Sequence, residues 1–290
     1  MGQLHKLNLL ATHITKYIMN KILTLLLLTG LITGCASVMI EGLPNPEDEL
    51  GNLEVLRSDI HEDDEDKPSN TIRLESLRDT ARSLGARSGL AFRAEEINES
   101  LYEEAHQLDR VFHFHALLLQ DNILPPVLIE SRDSLTQSSP NTLRVADRNY
   151  KIIKQARFVT LAPTWRDYLI MDDTRPPLPD ETLWPKTEEE REVWQEYVRL
   201  GWFEGIAQAD HIYTENLARL KRDYQGMIRY RMLLAQNMVS APQVAHRELG
   251  VTGGGEELAV NDRLLTIEAL PSLRADSKTW EPVITSKPTH

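Results

Sequence analysis

Apolar and small residues recur at steps of three and four over two long stretches of the chain, the spacing of an amphipathic helix. The first stretch follows Ser69 or Asn70, either of which is a suitable N-cap. The second follows Thr187, has three glutamates in its first turn and continues for about 50 residues, until Pro242. The sequence therefore predicts two long helices. The stripe of the first consists of Leu77, Ala81, Leu84, Ser88, Ala91, Ala94, Leu101, Ala105 and Leu108, and that of the second of Ile206, Tyr213, Leu217, Leu220, Tyr224, Met227 and Leu234.

Between and after these helices the apolar period changes to two, which is typical of half-buried strands. Residues 111–117 alternate in this way. Near the C-terminus, Asn261 and Asp262 separate two short apolar runs and predict a tight hairpin turn. The further strand candidates are 127–130, 142–146, 152–159, 258–260 and 264–267. The predicted fold class is α+β, with long helices packed on a small antiparallel sheet.

Each predicted helix also carries small residues at every fourth position, which form a groove along one face. Interior glycines cost about 1 kcal/mol each relative to alanine, so close packing is expected to offset them. Two interpretations follow: the two helices pack on each other, or one groove receives a neighbouring subunit. The grooves consist of Ala81, Gly85 and Gly89 on the first helix and of Gly201, Gly205 and Ala209 on the second.

The N-terminal region has the pattern of an export signal. A lysine at position 21 precedes the largely apolar run 22–28, and small residues follow before Cys35. The segment Ile32-Thr33-Gly34-Cys35 resembles a bacterial lipobox, in which the cysteine is diacylated and the chain is cut before it. Cys35 is the only cysteine in the chain, so it has no disulfide partner within it. We predict a lipid anchor at Cys35; the alternative is a secreted protein with a cysteine beside its cleavage site.

The residues around the predicted anchor bear on which membrane holds the protein and on where translation starts. In lipoproteins of this kind, aspartate after the cysteine usually means retention in the inner membrane, whereas this chain has Ala36 and Ser37. We therefore expect an outer-membrane lipoprotein that faces the periplasm, held by two or more acyl chains. The apolar run is shorter than the roughly 20 residues that span a bilayer. Translation starts at Met1 or at Met19, which begins a signal of ordinary length.

Charge divides the mature chain into a tether and a folded part. The formal net charge is −12, and residues 41–67 alone have 11 acids against two bases. Such a segment buries little apolar surface, so 35–69 is predicted to be a flexible tether. Its acidic run 61–66 either is solvated or chelates a cation. The folded domain is predicted over 70–270, after a signal peptide over 1–34 and before a tail over 271–290. Clustered lysine and arginine are lacking, which disfavours direct binding of nucleic acid.

Residues that would indicate catalysis or a cofactor are few. His113 and His115 would lie on one face of a strand, a spacing that metal sites use, but the segment 111–117 itself contains no carboxylate or cysteine. Glycines 253–255 lack the context of a phosphate-binding loop and predict a turn. The sequence predicts no catalytic residue, no metal and no cofactor. An aromatic group is either core or a set of interface anchors; its members are Trp165, Tyr168, Trp184, Trp194, Tyr197, Trp202 and Phe203.

Several segments, in matching order and spacing over about residues 70–270, resemble the DotC family, and the lipobox belongs to the same pattern. DotC proteins are lipoproteins of type IVB secretion systems, and the counterpart in related conjugative plasmids is called TraI, which is distinct from the relaxase of that name. The tether, the extreme C-terminus and the extension before Met19 are not covered by the resemblance. The similar segments are 122–128, 154–160, 163–166, 215–223 and 234–240.

The resemblance implies a structural role and no catalytic residues. Family members sit in an outer-membrane core complex with a smaller lipoprotein, DotD, and help bring DotH to the outer membrane. The resemblance therefore implies DotD-like and DotH-like partners and many copies of this chain in a ring. Whether the system exports effector proteins or transfers DNA stays open. Two other classes remain: an outer-membrane lipoprotein enzyme that acts on the cell wall, and a periplasmic binding module.

Overall fold

The computed structural model describes residues 46–56 and 71–281. These residues form five α-helices, three antiparallel strand pairs and short 3-10 turns, so the α+β prediction is confirmed. The predicted sheet is divided into three separate two-stranded ladders. The helices are α1 (Pro46–Glu54), α2 (Thr71–Glu103), α3 (Ala105–Val111), α4 (Arg166–Leu169) and α5 (Glu188–Ala235). The strands are β1 (Ile123–Leu124), β2 (Val127–Ser139), β3 (Thr142–Lys154), β4 (Arg157–Phe158), β5 (Gln243–Gly254) and β6 (Glu257–Ala269).

The two long helices α2 and α5 pack directly on each other, and they run parallel because contacting residue numbers rise together on both. A methyl group added to Gly85 would lie 2.1 Å from the carbonyl oxygen of Val198, and one added to Gly205 would lie 2.1 Å from that of Ala86. Gly89 and Gly201 are equally close to the facing backbone. Only glycine permits this approach. Each groove is therefore filled by the other helix, and the interpretation in which one receives a neighbouring subunit is wrong.

Both ends of α5 are fixed by local hydrogen bonds that the sequence specifies. At the start, Thr187 Oγ1 accepts a hydrogen bond from the Glu190 amide, as predicted for a threonine N-cap. At the end, Asn237 has a positive φ of 56°, and its amide donates to the carbonyl of Leu234. The amide of Met238 donates to the carbonyl of Leu233, which completes a Schellman motif. The helix thus ends seven residues before Pro242, and the chain turns toward β5.

Two predictions in the first half of the chain are wrong in detail. The stripe 77–108 is two helices, because α2 ends at Glu103 and α3 begins at Ala105. The strand predicted over 111–117 does not form. Val111 closes α3, and a 3-10 turn covers Phe114–Leu117. Phe114 is buried against Tyr168 and Tyr224, with ring centroids 5.8 and 5.0 Å apart. Core packing of this one aromatic side chain therefore replaces the alternation of a strand.

The two long hairpins extend much further than the apolar runs that predicted them. In the first, β2 and β3 pair from Val127↔Lys154 to Ser139↔Thr142. In the second, β5 and β6 pair from Gln243↔Ala269 to Gly254↔Glu257, so the turn lies at Gly255 and not at Asn261. Gly253 and Gly255 have φ of +107° and +71°, values that glycine adopts without strain. The turn predicted for 253–255 is confirmed at Gly255, whereas Gly253 and Gly254 belong to β5. Asn261, with φ of +58°, lies within β6 beside a shift in strand register.

The folded part reaches beyond both of its predicted boundaries. Residues 46–54, assigned to the tether, form α1, because Leu53 buries its side chain and accepts a hydrogen bond at its carbonyl from Trp194 Nε1 at 2.9 Å. Residues 271–281, assigned to the tail, return to the end of α5. There the Arg274 amide donates to the Met238 carbonyl, and Glu281 to that of Gln236. The rest of the predicted tether and tail, and the predicted signal peptide, lie outside the described residues.

The core consists of three clusters along α5. The first joins α1, α2 and the start of α5 around Trp194 and Trp202. The second joins the middle of α5 to α3, α4 and the segment around Trp165. The third lies at the end of α5, where Leu128 of β2, Tyr230 and Val239 are buried together. Because α5 is 48 residues long, about 70 Å at 1.5 Å per residue, one helix carries all three.

Candidate functional site

The predicted anchor and acidic run cannot be located on the structure. Cys35 and residues 61–66 lie outside the described residues. His113 and His115 are on a loop and a 3-10 turn, with ring centroids 6.2 Å apart. Within 46–56 and 71–281, no group of three histidine, cysteine, aspartate or glutamate side chains is arranged to hold a metal ion. In the same ranges, no helix is both long and apolar enough to span a bilayer.

The aromatic group divides between core and surface. Trp165, Trp194 and Trp202 are buried and belong to the core clusters. Trp184 is half-buried, and its Nε1 donates to the Pro179 carbonyl at 3.1 Å. Phe203, on the outer face of α5, is 60% exposed. The core interpretation therefore holds for the three buried tryptophans, and Phe203 is free to contact another molecule.

Two of the segments that carry the family resemblance meet at one buried carboxylate. Asp223 on α5 is fully buried, and its Oδ2 accepts a hydrogen bond from Lys154 Nζ at 2.5 Å and one from the Tyr168 hydroxyl at 3.3 Å. Arg222 Nε donates to the other oxygen at 3.1 Å. Burial, with the negative charge of Asp223 beside it, raises the pKa of Tyr168 to about 12. The phenol is therefore protonated at neutral pH, and the group joins the end of β3 to α4 and α5.

A second polar group joins α3 to α4. Asp109 accepts hydrogen bonds from Trp165 Nε1 at 2.7 Å and Arg166 Nη1 at 2.8 Å. The bond from Arg166, followed by that from Trp165, holds the pKa of Asp109 below its usual value. The guanidinium of Arg166 also lies 4.3 Å from the Trp165 ring centroid. Asp109 and His113 border an open surface concavity of about 650 Å³. The carboxylate of Asp109 already accepts hydrogen bonds from two donors, so this group is a structural link between α3 and α4.

Besides Phe203, the two long hairpins offer exposed surface for contacts. We call β2–β3, residues 127–154, the basic arm, and β5–β6, residues 243–269, the acidic arm. Each strand has 12 or 13 residues, so each arm is about 40 Å long. A two-stranded hairpin alone is marginally stable in water. The arms therefore depend on how they are rooted and on what covers their faces.

Both arms are rooted in the cluster at the end of α5. Leu128 at the base of the basic arm is buried beside Tyr230, and the carbonyl of Leu128 accepts a hydrogen bond from Arg229 Nη1 at 2.9 Å. A methyl group on Gly226 would lie 2.5 Å from the side chain of Val127, so α5 approaches the strand closely here. The acidic arm follows Val239 of the same cluster, and His246 near its base lies 3.5 Å from Asp121. Both arms thus leave the body from one end.

The outer halves of both arms expose aliphatic side chains. On the basic arm, Leu135 faces Val145 across the ladder, and Leu143 lies on the same face two residues from Val145. On the acidic arm, Val251 faces Val260, and Leu258 lies two residues from Val260. These six side chains are 56–66% exposed. Exposed apolar side chains on contiguous strands are typical of interaction sites.

Sequence reasoning located parts of these strands and missed the exposed stripes. The pairs Leu143-x-Val145 and Leu258-x-Val260 alternate as half-buried strands do, and alternation alone does not tell which partner covers the apolar face. A short turn at each tip predicts a hairpin but carries no signal of whether a third strand pairs with it.

Comparison with known proteins gives one match. The protein-family model T4SS_TraI, described as "Type IV secretory system, conjugal DNA-protein transfer", matches residues 71–282. The match covers both long helices and both arms, and it begins at the first residue of α2. None of the curated proteins compared matches the chain.

Proposed function

The chain belongs to the T4SS_TraI family of type IV secretory system, conjugal DNA-protein transfer, and from this premise we propose that it is a structural subunit of the transfer apparatus. More closely, we propose a DotC-like lipoprotein, acylated at Cys35 and held at the outer membrane with its folded part in the periplasm. In this proposal the chain belongs to the core complex, beside a DotD-like lipoprotein and a DotH-like subunit that it helps to bring to the outer membrane. Many copies stand side by side in a ring.

The observation that carries the structural role is the pair of exposed arms on a closed helical body. The glycine grooves of α2 and α5 are filled by each other, and Trp165, Trp194 and Trp202 are packed in the core of the body. The arms, in contrast, hold six aliphatic side chains in water. A scaffold subunit needs contact surfaces that project from a rigid body, and this geometry supplies them.

Isolation of the assembly tests the proposed role. A tagged chain is extracted from the outer membrane in mild detergent, sized on a column, imaged by electron microscopy and examined by mass spectrometry for co-purifying chains. We expect a large ring-shaped particle that contains DotD-like and DotH-like proteins. A small species without partners in every extraction condition would contradict the proposal.

Substitution of the predicted anchor tests the location. Cys35→Ser removes the thiol that would be acylated, so we expect unprocessed precursor at the inner membrane. Ser37→Ala keeps the cysteine and is the matched control, which should fractionate with the outer membrane. Outer-membrane fractionation of the Cys35→Ser chain would show that Cys35 is not the anchor.

A further inference from the structure

One face of the basic arm is lined with arginines. In the register of β2 and β3, Arg132 lies directly opposite Arg148, and Arg144 lies on the same face, four residues nearer the tip. The exposed aliphatic side chains of this arm alternate to the other face. The side chains of Arg132 and Arg148 are 74% and 65% exposed, and Arg144 is exposed as well. We call the surface formed by these three residues the arginine face.

The positive charge of the arginine face is only partly neutralised within the chain. Like charges directly opposite each other on paired strands repel. Glu130 Oε1 lies 3.6 Å from Arg132 Nε and 3.9 Å from Arg148 Nε, but the same carboxylate also pairs with Arg229 of α5 at 3.4 Å. Asp147 alternates to the opposite face of β3. The arginine face therefore keeps an excess of positive charge, which an acidic partner would neutralise.

The chain itself contains a segment of complementary charge. Residues 57–70 join α1 to α2, and the acidic run 61–66 ends in five successive acids, at positions 62–66. Alternate residues of an extended chain lie about 7 Å apart on one side, which is the spacing of side chains along one face of β3. An extended acidic run can therefore place one carboxylate against each of several arginines in register.

Two other acidic occupants match the arginine face less well. The acidic arm partly neutralises itself, because Arg263 lies opposite Glu248 in its ladder. Single-stranded nucleic acid is bound with the help of aromatic side chains on which its bases stack. The arginine face has one neighbouring aromatic residue, the half-buried Tyr150 at the base of the arm. The acidic run is thus the best match in charge and spacing.

The acidic run is too far from the arginine face of its own chain to bind it. The run precedes Thr71, and close to this point Arg73 donates a hydrogen bond of 2.7 Å to Glu190 in the first turn of α5. The base of the basic arm lies beside Arg229, and the stretch of α5 from Glu190 to Arg229 is about 58 Å long. Asp64 is separated from Thr71 by a span of at most about 25 Å. The acids are therefore available only to another copy.

We propose that the arginine face of one copy binds the acidic run 61–66 of a second copy of this chain. The contact places the start of α5 in one copy near the end of α5 in the next, so the copies follow one another head to tail. Such a contact between two different surfaces is heterologous, and its repetition closes into a ring or continues as a filament. Complementary charge sets the order of the copies, because two arginine faces or two acidic runs repel each other.

This inference deepens the proposed function and rests on it, since a scaffold in a ring needs contacts between neighbouring copies. Its own content is the identity of the two surfaces and the head-to-tail order. The proposed function itself requires only that copies and partners assemble.

Pairwise disulfide trapping in cells tests the contact. Two full-length versions with different tags are co-expressed, one with His61→Cys, which keeps all five acids, and one with Thr136→Cys, which lies opposite Arg144 on the arginine face. After oxidation of the membranes we expect a dimer that carries both tags. Gln137→Cys, exposed on the other face of the same strand, is the matched control and should give several-fold less. The parent chain, with Cys35 alone, gives the background.

Removal of single charges separates ionic binding from chance proximity. Arg148→Gln in every copy should lower the yield of the trapped dimer roughly two- to fivefold, the range of one exposed ion pair. Lys151→Gln removes the same charge from the opposite face of the same strand and should leave the yield unchanged. An excess of a synthetic peptide of residues 57–70 should compete with trapping, whereas a short single-stranded DNA oligonucleotide should not.

Four outcomes would overturn the inference: equal trapping by Thr136→Cys and Gln137→Cys, equal effects of Arg148→Gln and Lys151→Gln, competition by the DNA and not by the peptide, or trapping of Thr136→Cys only to another polypeptide. The proposed function is scored separately, by the partners and location of the unsubstituted chain. Assembly with DotD-like and DotH-like proteins but without the trapped dimer would end the inference alone. The trapped dimer without those partners would end the proposed function alone.

Discussion

Gly205 in the body of the protein and Gly254 in the acidic arm have opposite surroundings. A methyl group on Gly205 would meet the backbone of α2 at 2.1 Å, whereas one on Gly254 would have nothing within 4 Å. Leucines differ in the same way: Leu84 in α2 is 1% exposed, and Leu258 in the acidic arm is 66% exposed. The contact between α2 and α5 buries its small and aliphatic residues, whereas the outer halves of the arms leave theirs exposed. Stability and assembly should therefore depend on different residues.

Gly205→Ala is expected to give the largest loss of stability. The added methyl group would meet backbone atoms of Ala86 and Leu90, which cannot move away as a flexible side chain can. We expect the free energy of unfolding to fall by about 3 kcal/mol. For a folded part of this size, that lowers the melting temperature by roughly 6–12 °C, measured by circular dichroism.

Gly51→Ala is the control for Gly205→Ala, because Gly51 lies in α1 with open space around it. Here alanine should leave stability unchanged or raise it by up to about 1 kcal/mol, the difference in helix propensity. Equal melting temperatures for the Gly205→Ala chain and the parent would show that α2 and α5 are not in close contact.

A matched pair of leucine truncations compares body and arm directly. Leu84→Ala creates a cavity between α2 and α5 and should cost about 2–5 kcal/mol in denaturant unfolding. Leu258→Ala removes an exposed side chain and should change stability by less than about 0.5 kcal/mol. We expect self-association of the full-length chain, measured by light scattering, to change in the Leu258→Ala variant. A large loss of stability in that variant would mean that the arm is part of the core.

The free energy of unfolding should depend on pH through Tyr168, which lies where the basic arm meets the helical body. Burial, with the charge of Asp223, raises the folded-state pKa of Tyr168 to about 12 from an ordinary value near 10. The folded state therefore holds the phenolic proton more tightly than the unfolded state does. This contribution to stability is fully present below pH 10 and is lost as the pH rises toward 12. Because the phenol is partly exposed to solvent, the loss is roughly 1 kcal/mol.

Tyr168→Phe isolates this contribution from the titration of lysines and other tyrosines in the same range. The difference between the unfolding free energies of parent and Tyr168→Phe chains, measured from pH 8 upward, should narrow above pH 10. A difference that stays constant to pH 12 would show that the Tyr168 hydroxyl is not held beside Asp223.

Much of the body was predictable because its rules are local. Thr187 as N-cap and the small residues at every fourth position specified α5 and its packing on α2. The long-range contacts were not predictable in this way. Phe114 lies in an alternating segment that predicts a strand, but burial of its ring in the core against Tyr224 stabilises the 3-10 turn instead. Leu53 lies in an acidic segment, and the cluster that buries it includes Trp194, which is 141 positions away in sequence.

The sequence pattern predicts strands within both arms, but it does not predict that each arm is a separate hairpin with an exposed apolar face. Alternation at Leu143 and Val145 is the same whether a sheet, a neighbouring subunit or water covers that face. Asn261 and Asp262 separate two apolar runs and so predict a turn, but Asn261 adopts its left-handed φ within β6. Three successive glycines at 253–255 decided the turn instead. Strand-pairing partners and burial depend on the whole chain, which a local pattern does not contain.

The ion pair between Glu130 of the basic arm and Arg229 of α5 should give the smallest effect of these substitutions. Glu130 in β2 is 15% exposed at its side chain, and its Oε2 lies 3.4 Å from Arg229 Nε on α5. Arg132 and Arg148 of the same arm are 3.6 and 3.9 Å from its other oxygen. A double-mutant cycle with Glu130→Gln and Arg229→Gln should give a coupling energy of roughly 0.5 kcal/mol, since neither partner is fully buried.

Added salt distinguishes the contribution of the Glu130–Arg229 pair from that of the other contacts between the basic arm and α5. The coupling should fall toward zero in 1 M NaCl, where the Debye length is about 3 Å, while the hydrogen bonds of the Asp223 cluster persist. A coupling above about 2 kcal/mol, unchanged by salt, would mean that Glu130 is a buried junction between arm and body. In that case substitutions on the arm would also destabilise the helices, and the division between a self-sufficient body and available arms would fail at this residue.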